Sequence, residues 1–145
     1  MDKPLAKIQF KNYIIKDMQF KLNQNYVQDP DESEVDLDIS LSHKLALDSD
    51  EGKAELTLIC QIAKDFEQNN QPFSLLVEIT GIFLYDINLE YDKQVQMLLT
   101  NGSAILFPYL RASISMVTML SGIPPFILPT LNIKKIMENN TENQE

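Results

Sequence analysis

Apolar and polar residues alternate along four segments of the first 85 residues, and such alternation is typical of β-strands with one buried face. The clearest case is residues 35–42, where Val, Leu and Ile alternate with Asp and Ser. Residues 6–20 alternate as well, with Ile14 among the apolar positions, but Tyr13 and Ile15 fall on the polar side. We therefore predict two half-buried strands, of which the first has a second face that is partly covered.

Two further segments complete the predicted sheet. Residues 54–62 carry apolar side chains at the even positions, whereas residues 73–85 are apolar at both parities. A strand that is apolar on both faces lies in the centre of a sheet or in an interface. The connections between successive segments are short, and a parallel return would need a crossover of a dozen residues, so we predict antiparallel pairing.

The pattern changes to helical spacing after residue 90. Residues 91–100 predict a short helix that ends at the Asn-Gly pair of residues 101–102. Ser103 opens a longer helix with apolar residues at helical spacing. Pro108 predicts either a kink in that helix or a helix that begins near this residue, and Gly122 predicts its end.

Three prolines between residues 124 and 129 keep the next segment extended. Residues 134–139 predict a short C-terminal helix, and residues 140–145 predict a disordered polar tail. We therefore predict a single domain over residues 1–139, of class α+β: a four-stranded antiparallel sheet with a long kinked helix and a short C-terminal helix.

Residues 94–133 carry one charged side chain, Arg111, although the rest of the chain is strongly acidic. A helix that packs on a single sheet needs only one apolar stripe and keeps its other face polar. The outer face here consists of Ser, Thr, Ala and Met instead, so we expect the segment to be covered on more than one side. The cover is the protein's own sheet, a second copy of the protein or a bound client.

Length and charge narrow the classes of function. The chain has 145 residues, which suits one domain, and a net charge of −9. This charge argues against binding to nucleic acid and to an anionic membrane surface. The N-terminal residues do not have the pattern of a signal peptide, and the longest apolar run is far shorter than the roughly 20 residues that span a bilayer. We expect a soluble cytoplasmic protein.

Few residues offer catalytic or metal-binding chemistry. His43, the only histidine, is interpreted as a surface residue rather than a member of a Ser–His–Asp triad. Cys60 shares the apolar face of its segment, which favours a buried, inert thiol. Asp29, Asp31 and Ser33 have the spacing of an EF-hand loop, but its glycine and final glutamate are missing. We predict no enzymatic activity, no cofactor and no metal site.

The surplus of apolar residues leaves three hypotheses. An obligate oligomer would bury the surplus between subunits. A chaperone would expose a groove for apolar segments of other proteins, helped by Met97, Met116 and Met119, because flexible methionines suit contacts with varied partners. A carrier of a small apolar ligand would instead enclose a pocket.

Six runs of the sequence, taken in their order and spacing, match the pattern of a known family: Tyr13–Phe20, Glu34–Ile39, Gly81–Phe83, Ile105–Arg111, Ile114–Ser115 and Gly122–Pro129. They resemble the SecB family of bacterial protein-export chaperones. The most specific resemblance lies in the long helix and the proline-containing segment after it, and the whole extends from about Ile8 to Ile133.

This resemblance implies a homotetramer, built as a dimer of dimers with the long helices at its centre. It also implies an ATP-independent holdase that keeps clients, such as preproteins for export, unfolded in long apolar grooves. The positions expected to line the groove are Val35, Leu37, Ile39, Phe83, Met97, Tyr109, Phe126 and Ile127. Those expected in the oligomer interface are Ile114, Met116, Val117 and Leu120.

Two positions depart from the family's pattern. SecB proteins deliver clients to the export motor SecA through acidic positions on the outer face of the sheet. Asp17 matches one such position, whereas Lys21 and Leu76 stand where the family has acids. These departures weaken the expectation of SecA binding but not that of client binding. The family also includes chaperones dedicated to one client, such as the antitoxin of a toxin–antitoxin–chaperone system, and this alternative stays open.

Overall fold

A computed structural model describes residues 8–28, 30 and 36–129 of the chain. Its four strands form one sheet in the order β1-β4-β3-β2, and every neighbouring pair is antiparallel. The predicted antiparallel sheet is confirmed. The strands are β1 (Ile8–Leu22), β2 (Ile39–Asp48), β3 (Lys53–Ile62) and β4 (Phe73–Tyr85).

The strand that is apolar at both parities, β4, is central, with β1 on one side and β3 on the other. Its odd-numbered residues form part of the inner face, which the helices cover, and those with side chains are buried. Its even-numbered residues are mostly half-buried on the outer face, where the Thr80 hydroxyl lies 2.7 Å from that of Thr57 on β3. Both faces of β4 are therefore partly or fully covered by the chain's own side chains.

Two irregularities interrupt the pairing of β1 with β4. The register shifts between Phe10 and Asn12 and again between Ile15 and Asp17, so that Lys11 and Lys16 are extra residues on β1. Because side chains alternate between faces along a strand, each such bulge exchanges the faces of all residues that follow it.

The bulges explain the two residues that broke the alternation of the first segment. Tyr13 pairs with Gly81 and Ile15 pairs with Ile79, so both lie on the inner face. Ile14 pairs with Thr80 on the outer face, where 54% of its surface is exposed. The prediction that Ile14 shares the core face is therefore wrong, because strict alternation takes no account of inserted residues.

The helical part of the chain is continuous from Tyr91 to Leu120. It consists of α1 (Tyr91–Met97), a π-helical segment (Leu98–Gly102) and α2 (Ser103–Leu120). Gly102 has helical dihedral angles, φ −62° and ψ −43°, so the predicted helix end at residues 101–102 is wrong. A Cβ atom at Gly102 would lie 3.2 Å from Leu56 Cδ2 on β3. This glycine lets the helix approach the sheet and does not end it.

The core lies between α2 and the inner face of the sheet. Leu106, Leu110 and Ile114 recur at helical spacing on α2 and are fully buried. Helix and sheet are close at Gly81, where an added Cβ would lie 3.1 Å from Leu106 Cδ1. Burial of one such side chain stabilises the fold by about 1.5–3 kcal/mol.

α2 contains Pro108 without ending there, and the departure from regular α-helical hydrogen bonding precedes it, at the π-helical segment. Gly122, with φ +85°, follows the last turn as predicted. Residues 123–129 contain neither helix nor strand, also as predicted. The predicted C-terminal helix and polar tail lie outside the described residues.

Candidate binding surfaces

The outward side of α2 is an apolar surface without charge, which we call the helix surface. Its residues recur at intervals of three, four and seven, so they lie on the side opposite the buried stripe. Met116 and Leu120 expose 57% and 76% of their surface. The helix surface comprises Ile105, Tyr109, Met116, Met119 and Leu120.

Tyr109 connects the helix surface to β1. Its ring centroid lies 4.6 Å from that of Tyr13 and 5.6 Å from that of Phe10. Tyr13, Met18 and Leu22 belong to the inner face of β1 but remain exposed, because α2 covers this edge strand only in part. The helix surface therefore continues onto the inner face of β1.

A polar stripe on α2 holds the extended segment 123–129 against the helix. The Arg111 side chain donates a hydrogen bond from Nε to the Leu128 carbonyl at 3.0 Å. One turn further on, the Ser115 hydroxyl donates to the Phe126 carbonyl at 3.0 Å. The Phe126 N–H donates to the Thr118 hydroxyl oxygen at 2.8 Å. These bonds satisfy backbone groups that no strand or helix pairs.

The same segment contributes to the core and to the surface. Leu128 is fully buried, whereas 66% of the surface of Ile127 is exposed. The Phe126 ring meets that of Phe73 edge-on at 6.0 Å, and Phe73 stacks on Phe20 at 5.6 Å. Sequence analysis missed the buried position of Leu128 and the role of Arg111. Its one usable signal was the polar spacing of residues 111, 115 and 118 on an otherwise apolar helix.

Four of the predicted groove residues lie toward one end of the sheet. Leu37 and Ile39 pack partly buried against the core, and Ile39 pairs with Ile62, which in turn pairs with Leu75 near the start of β4. Phe126 contacts Phe73 at that same start. We call Leu37, Ile39, Phe126 and Ile127 the sheet-end surface.

The other predicted groove residues lie elsewhere. Tyr109 contacts β1 residues that pair near the opposite end of β4, so one chain does not bring it beside Leu37. Met97 packs partly buried against the core from α1. Phe83 is fully buried, so its prediction as a groove residue is wrong for this structure: it fills the space between α2 and the sheet. Val35 lies outside the described residues.

The four residues predicted for the oligomer interface also differ in their exposure to solvent. Met116 and Leu120 are exposed on the helix surface, and Val117 is partly buried. Ile114 is fully buried against the chain's own core. The prediction that Ile114 faces another subunit is wrong, because it lies in the inner stripe of α2.

The outer face of the sheet carries the positions considered for motor contact. Asp17 pairs with Glu78, and its carboxylate accepts a hydrogen bond from the Gln19 side-chain amide at 3.0 Å. Lys21 and Leu76, which depart from the family's pattern, line one and the same cleft on this face.

His43 and Cys60, the two residues considered for nucleophilic or acid–base chemistry, are both buried. His43 lies on the inner face of β2 and is buried, which lowers its pKa, so its interpretation as a surface residue is wrong. Burial also raises the pKa of the Cys60 thiol to about 12, in agreement with an inert thiol. Within the described ranges no cluster of three or more His, Cys, Asp and Glu side chains could hold a metal ion.

The continuous helix from Tyr91 to Leu120 is long and apolar enough to cross a membrane by length and composition alone. Core helices of soluble proteins meet the same criterion. Here the inner stripe of α2 packs on the chain's own sheet, and 33% of the most apolar window of the helix is buried within the chain.

Fold and surfaces together define an α+β scaffold that displays apolar side chains on the outward side of α2, where no charged residue lies. The model of the family described as preprotein translocase subunit SecB matches residues 2–144. The chain therefore belongs to the SecB family. Members of this family are soluble chaperones rather than enzymes, and we assign the chain a chaperone role.

Two relatives match nearly the whole chain. An uncharacterized protein of Methanocaldococcus jannaschii is 37% identical over 152 residues, which cover 98% of this chain and 94% of the relative. The protein-export protein SecB of Anaplasma phagocytophilum is 26% identical over 146 residues, which cover 91% of each chain.

The fold also resembles that of a solved SecB-like chaperone from Mycobacterium tuberculosis, whose structure contains a ChAD peptide from an antitoxin. The TM-score is 0.69 at 16% identity, and the match covers 87% of this chain and 91% of the other. At this identity the likeness establishes the shared fold alone.

Proposed function

We propose that this protein is an ATP-independent holdase that binds unfolded segments of other polypeptides at the sheet-end surface and assembles as a dimer of dimers through the helix surface. The observation that carries the proposal is the charge-free apolar surface of α2 and segment 123–129 on a SecB-family fold. Apolar patches of this kind on a soluble protein mark sites of interaction.

The sheet-end surface suits unfolded clients. Ile127 and Phe126 offer an aliphatic and an aromatic side chain beside each other, and the attraction between apolar groups is non-directional. Such a surface binds exposed apolar segments with little preference for their sequence. Folded proteins have buried those segments, so the surface distinguishes the two states. The net charge of −9 favours clients with basic segments.

The helix surface suits a second copy of the chain. Met116, Met119 and Leu120 expose more than half of their surface around the last turns of α2. Full burial of such a side chain contributes about 1.5–3 kcal/mol. The exposed inner face of β1, reached through Tyr13 and Tyr109, would extend the contact.

A holdase that serves many clients would include preproteins for export among them. Because Lys21 and Leu76 stand where the family has acidic residues, delivery to SecA is a weaker expectation than client binding itself. The second candidate is a chaperone dedicated to one client. It is favoured by the same departures and by the shared fold with the SecB-like chaperone that holds an antitoxin peptide.

The test measures binding of reduced, carboxymethylated α-lactalbumin, a permanently unfolded chain, and of the native protein, without ATP. We expect binding of the unfolded form only. Ile127→Asp places a charge in the sheet-end surface and should weaken binding about tenfold, because it removes roughly 1.4 kcal/mol of apolar contact. Ile87→Asp is the matched control, since Ile87 is comparably exposed but lies in the turn after β4.

Equal losses in both variants would contradict the placement of the client site. A wild-type protein that ignores unfolded chains would contradict a general holdase and leave the dedicated chaperone. Binding of native α-lactalbumin with equal affinity would contradict both.

A further inference from the structure

Two methionines lie on the part of the helix surface nearest the end of α2. Met116 and Met119 expose 57% and 53% of their surface, although methionine is among the residues most often buried in folded proteins. Leu120 beside them is 76% exposed, and no charged residue lies between positions 112 and 120. The two thioether side chains therefore belong to an apolar surface that solvent reaches in the single chain.

Other groups that peroxides oxidise are shielded or absent in the described part of the chain. Cys60 is the only cysteine, and burial raises the pKa of its thiol to about 12. A thiol reacts as its thiolate, so Cys60 stays reduced while the chain is folded. The sequence contains no tryptophan. Met97 packs partly buried against the core, and Met18 is less exposed than Met116 and Met119.

We propose that Met116 and Met119 form a redox-sensitive modification site that regulates assembly through the helix surface. Hydrogen peroxide is the oxidant. The thioether sulfur attacks one peroxide oxygen, an S–O bond forms as the O–O bond breaks, and the other oxygen leaves as water with both hydrogen atoms. Each sulfur loses two electrons and becomes a polar sulfoxide. Burial of a polar group without a hydrogen-bond partner costs free energy, so the sulfoxides oppose an apolar interface.

Oxidation and assembly compete for the same side chains. Met116 and Met119 are exposed in the single chain, and an interface built on the helix surface would cover them. Peroxide therefore acts on the dissociated chain and shifts the equilibrium toward it, as any modification of one state does. Methionine sulfoxide reductases restore the thioether, so the shift is reversible. The site acts only through the proposed assembly, and the inference rests on that proposal.

The test treats the full chain with hydrogen peroxide, locates sulfoxides by peptide mass spectrometry and measures the light-scattering molar mass over a dilution series. We expect a gain of about 16 Da at each of Met116 and Met119, one oxygen atom per sulfoxide. The concentration at which half of the assembly dissociates should rise at least about tenfold, because two side chains lose their apolar contribution. Both classes of methionine sulfoxide reductase, supplied with dithiothreitol, should restore the original value.

The decisive variant is Met116→Leu with Met119→Leu, which replaces both thioethers by apolar side chains that peroxide does not oxidise. For each variant, the half-dissociation concentration with peroxide is divided by the value without peroxide, so that only the effect of oxidation is compared. This ratio should stay below about two in the decisive variant, which has no thioether on the helix surface. The matched control, Met18→Leu with Met97→Leu, removes two other thioethers and should keep a ratio of about ten or more.

Three results would overturn the proposal and leave the assembly itself intact: an assembled wild type that peroxide does not dissociate, dissociation without sulfoxide at Met116 and Met119, or equal ratios in the two double variants. A loss of the far-ultraviolet circular dichroism signal on oxidation would also overturn it, since the chain would then dissociate by unfolding. A mass of 16.6 kDa before any oxidation would instead contradict the proposed assembly, and the inference with it.

Discussion

The extended segment after α2 supplies the sharpest test of the fold, through two neighbouring residues with opposite environments. Leu128 is fully buried and Ile127 is 66% exposed. Leu128→Ala removes three carbon atoms from the core, which costs about 2.4 kcal/mol in transfer free energy at roughly 0.8 kcal/mol for each carbon. The cavity left behind adds to this, and buried Leu→Ala changes usually cost about 2–5 kcal/mol. We expect a loss of about 3 kcal/mol.

Urea unfolding followed by circular dichroism measures this loss. With a urea dependence of about 2 kcal/mol per M, the unfolding midpoint of Leu128→Ala should fall by about 1.5 M. Ile127→Ala is the control and should lower the midpoint by less than about 0.5 M, because most of its side chain is already in water. All variants are compared at one protein concentration, since assembly raises apparent stability.

Equal midpoints for the two variants would refute the account of this segment. Such a result would mean that residues 123–129 do not dock in solution, and that their hydrogen bonds with Arg111, Ser115 and Thr118 do not hold them.

Three further predictions concern single buried groups. Thr118→Val removes the hydroxyl oxygen that accepts a hydrogen bond from the Phe126 N–H, and should lower the free energy of unfolding in urea by about 1–3 kcal/mol. The control Ser121→Ala, at an exposed position, should lower it by less than about 0.5 kcal/mol. Equal losses in the two variants would contradict the role of Thr118. Burial lowers the pKa of His43, so the histidine of the unfolded chain is protonated at a higher pH than that of the folded chain, and the free energy of unfolding should fall as the pH drops below about 6.5. His43→Gln should reduce the dependence of this free energy on pH between about pH 7.5 and 5.5. An unchanged pH dependence would contradict the burial of His43. Burial raises the pKa of Cys60 to about 12, so iodoacetamide at pH 8 should alkylate it only in urea, and rapid alkylation of the native protein would contradict its burial.

The strands were largely predictable, because alternation reports directly which side chains share a face. β4 begins and ends at the predicted residues, and its apolar character on both faces reflects its central position. The first strand was harder, because Lys11 and Lys16 are inserted as bulges and nothing in their residue types marks an insertion. Tyr13 and Ile15, which seemed to break the pattern, were the one visible sign of it.

The helix was predicted in its position but not in its continuity. An Asn-Gly pair usually ends a helix, and the sequence offers no measure of how closely that helix approaches a sheet. Gly102 serves the second purpose, since a side chain there would press on Leu56 and Phe83. Tertiary packing thus overrides the local preference.

The sequence predicted the apolar composition of the candidate surfaces but not which residues form them. The absence of charge between residues 94 and 133 indicated a covered segment, but spacing alone did not separate Ile114, which is in the core, from Met116, which is exposed. That separation depends on the rotation of α2 relative to the sheet. Likewise, residue spacing does not predict that Lys21 and Leu76 line one cleft, because they are brought together only by the pairing of β1 with β4.

The measurement that tests the central claim most directly is the light-scattering molar mass across a gel-filtration peak, with and without reduced, carboxymethylated α-lactalbumin. A homotetramer of this 16.6 kDa chain has a mass of about 66 kDa, four times that of one chain. We predict this mass for the protein alone, and a heavier peak that contains both proteins when the unfolded client is added. A peak at 16.6 kDa that leaves the client to elute separately would contradict both the assembly through the helix surface and the holdase activity.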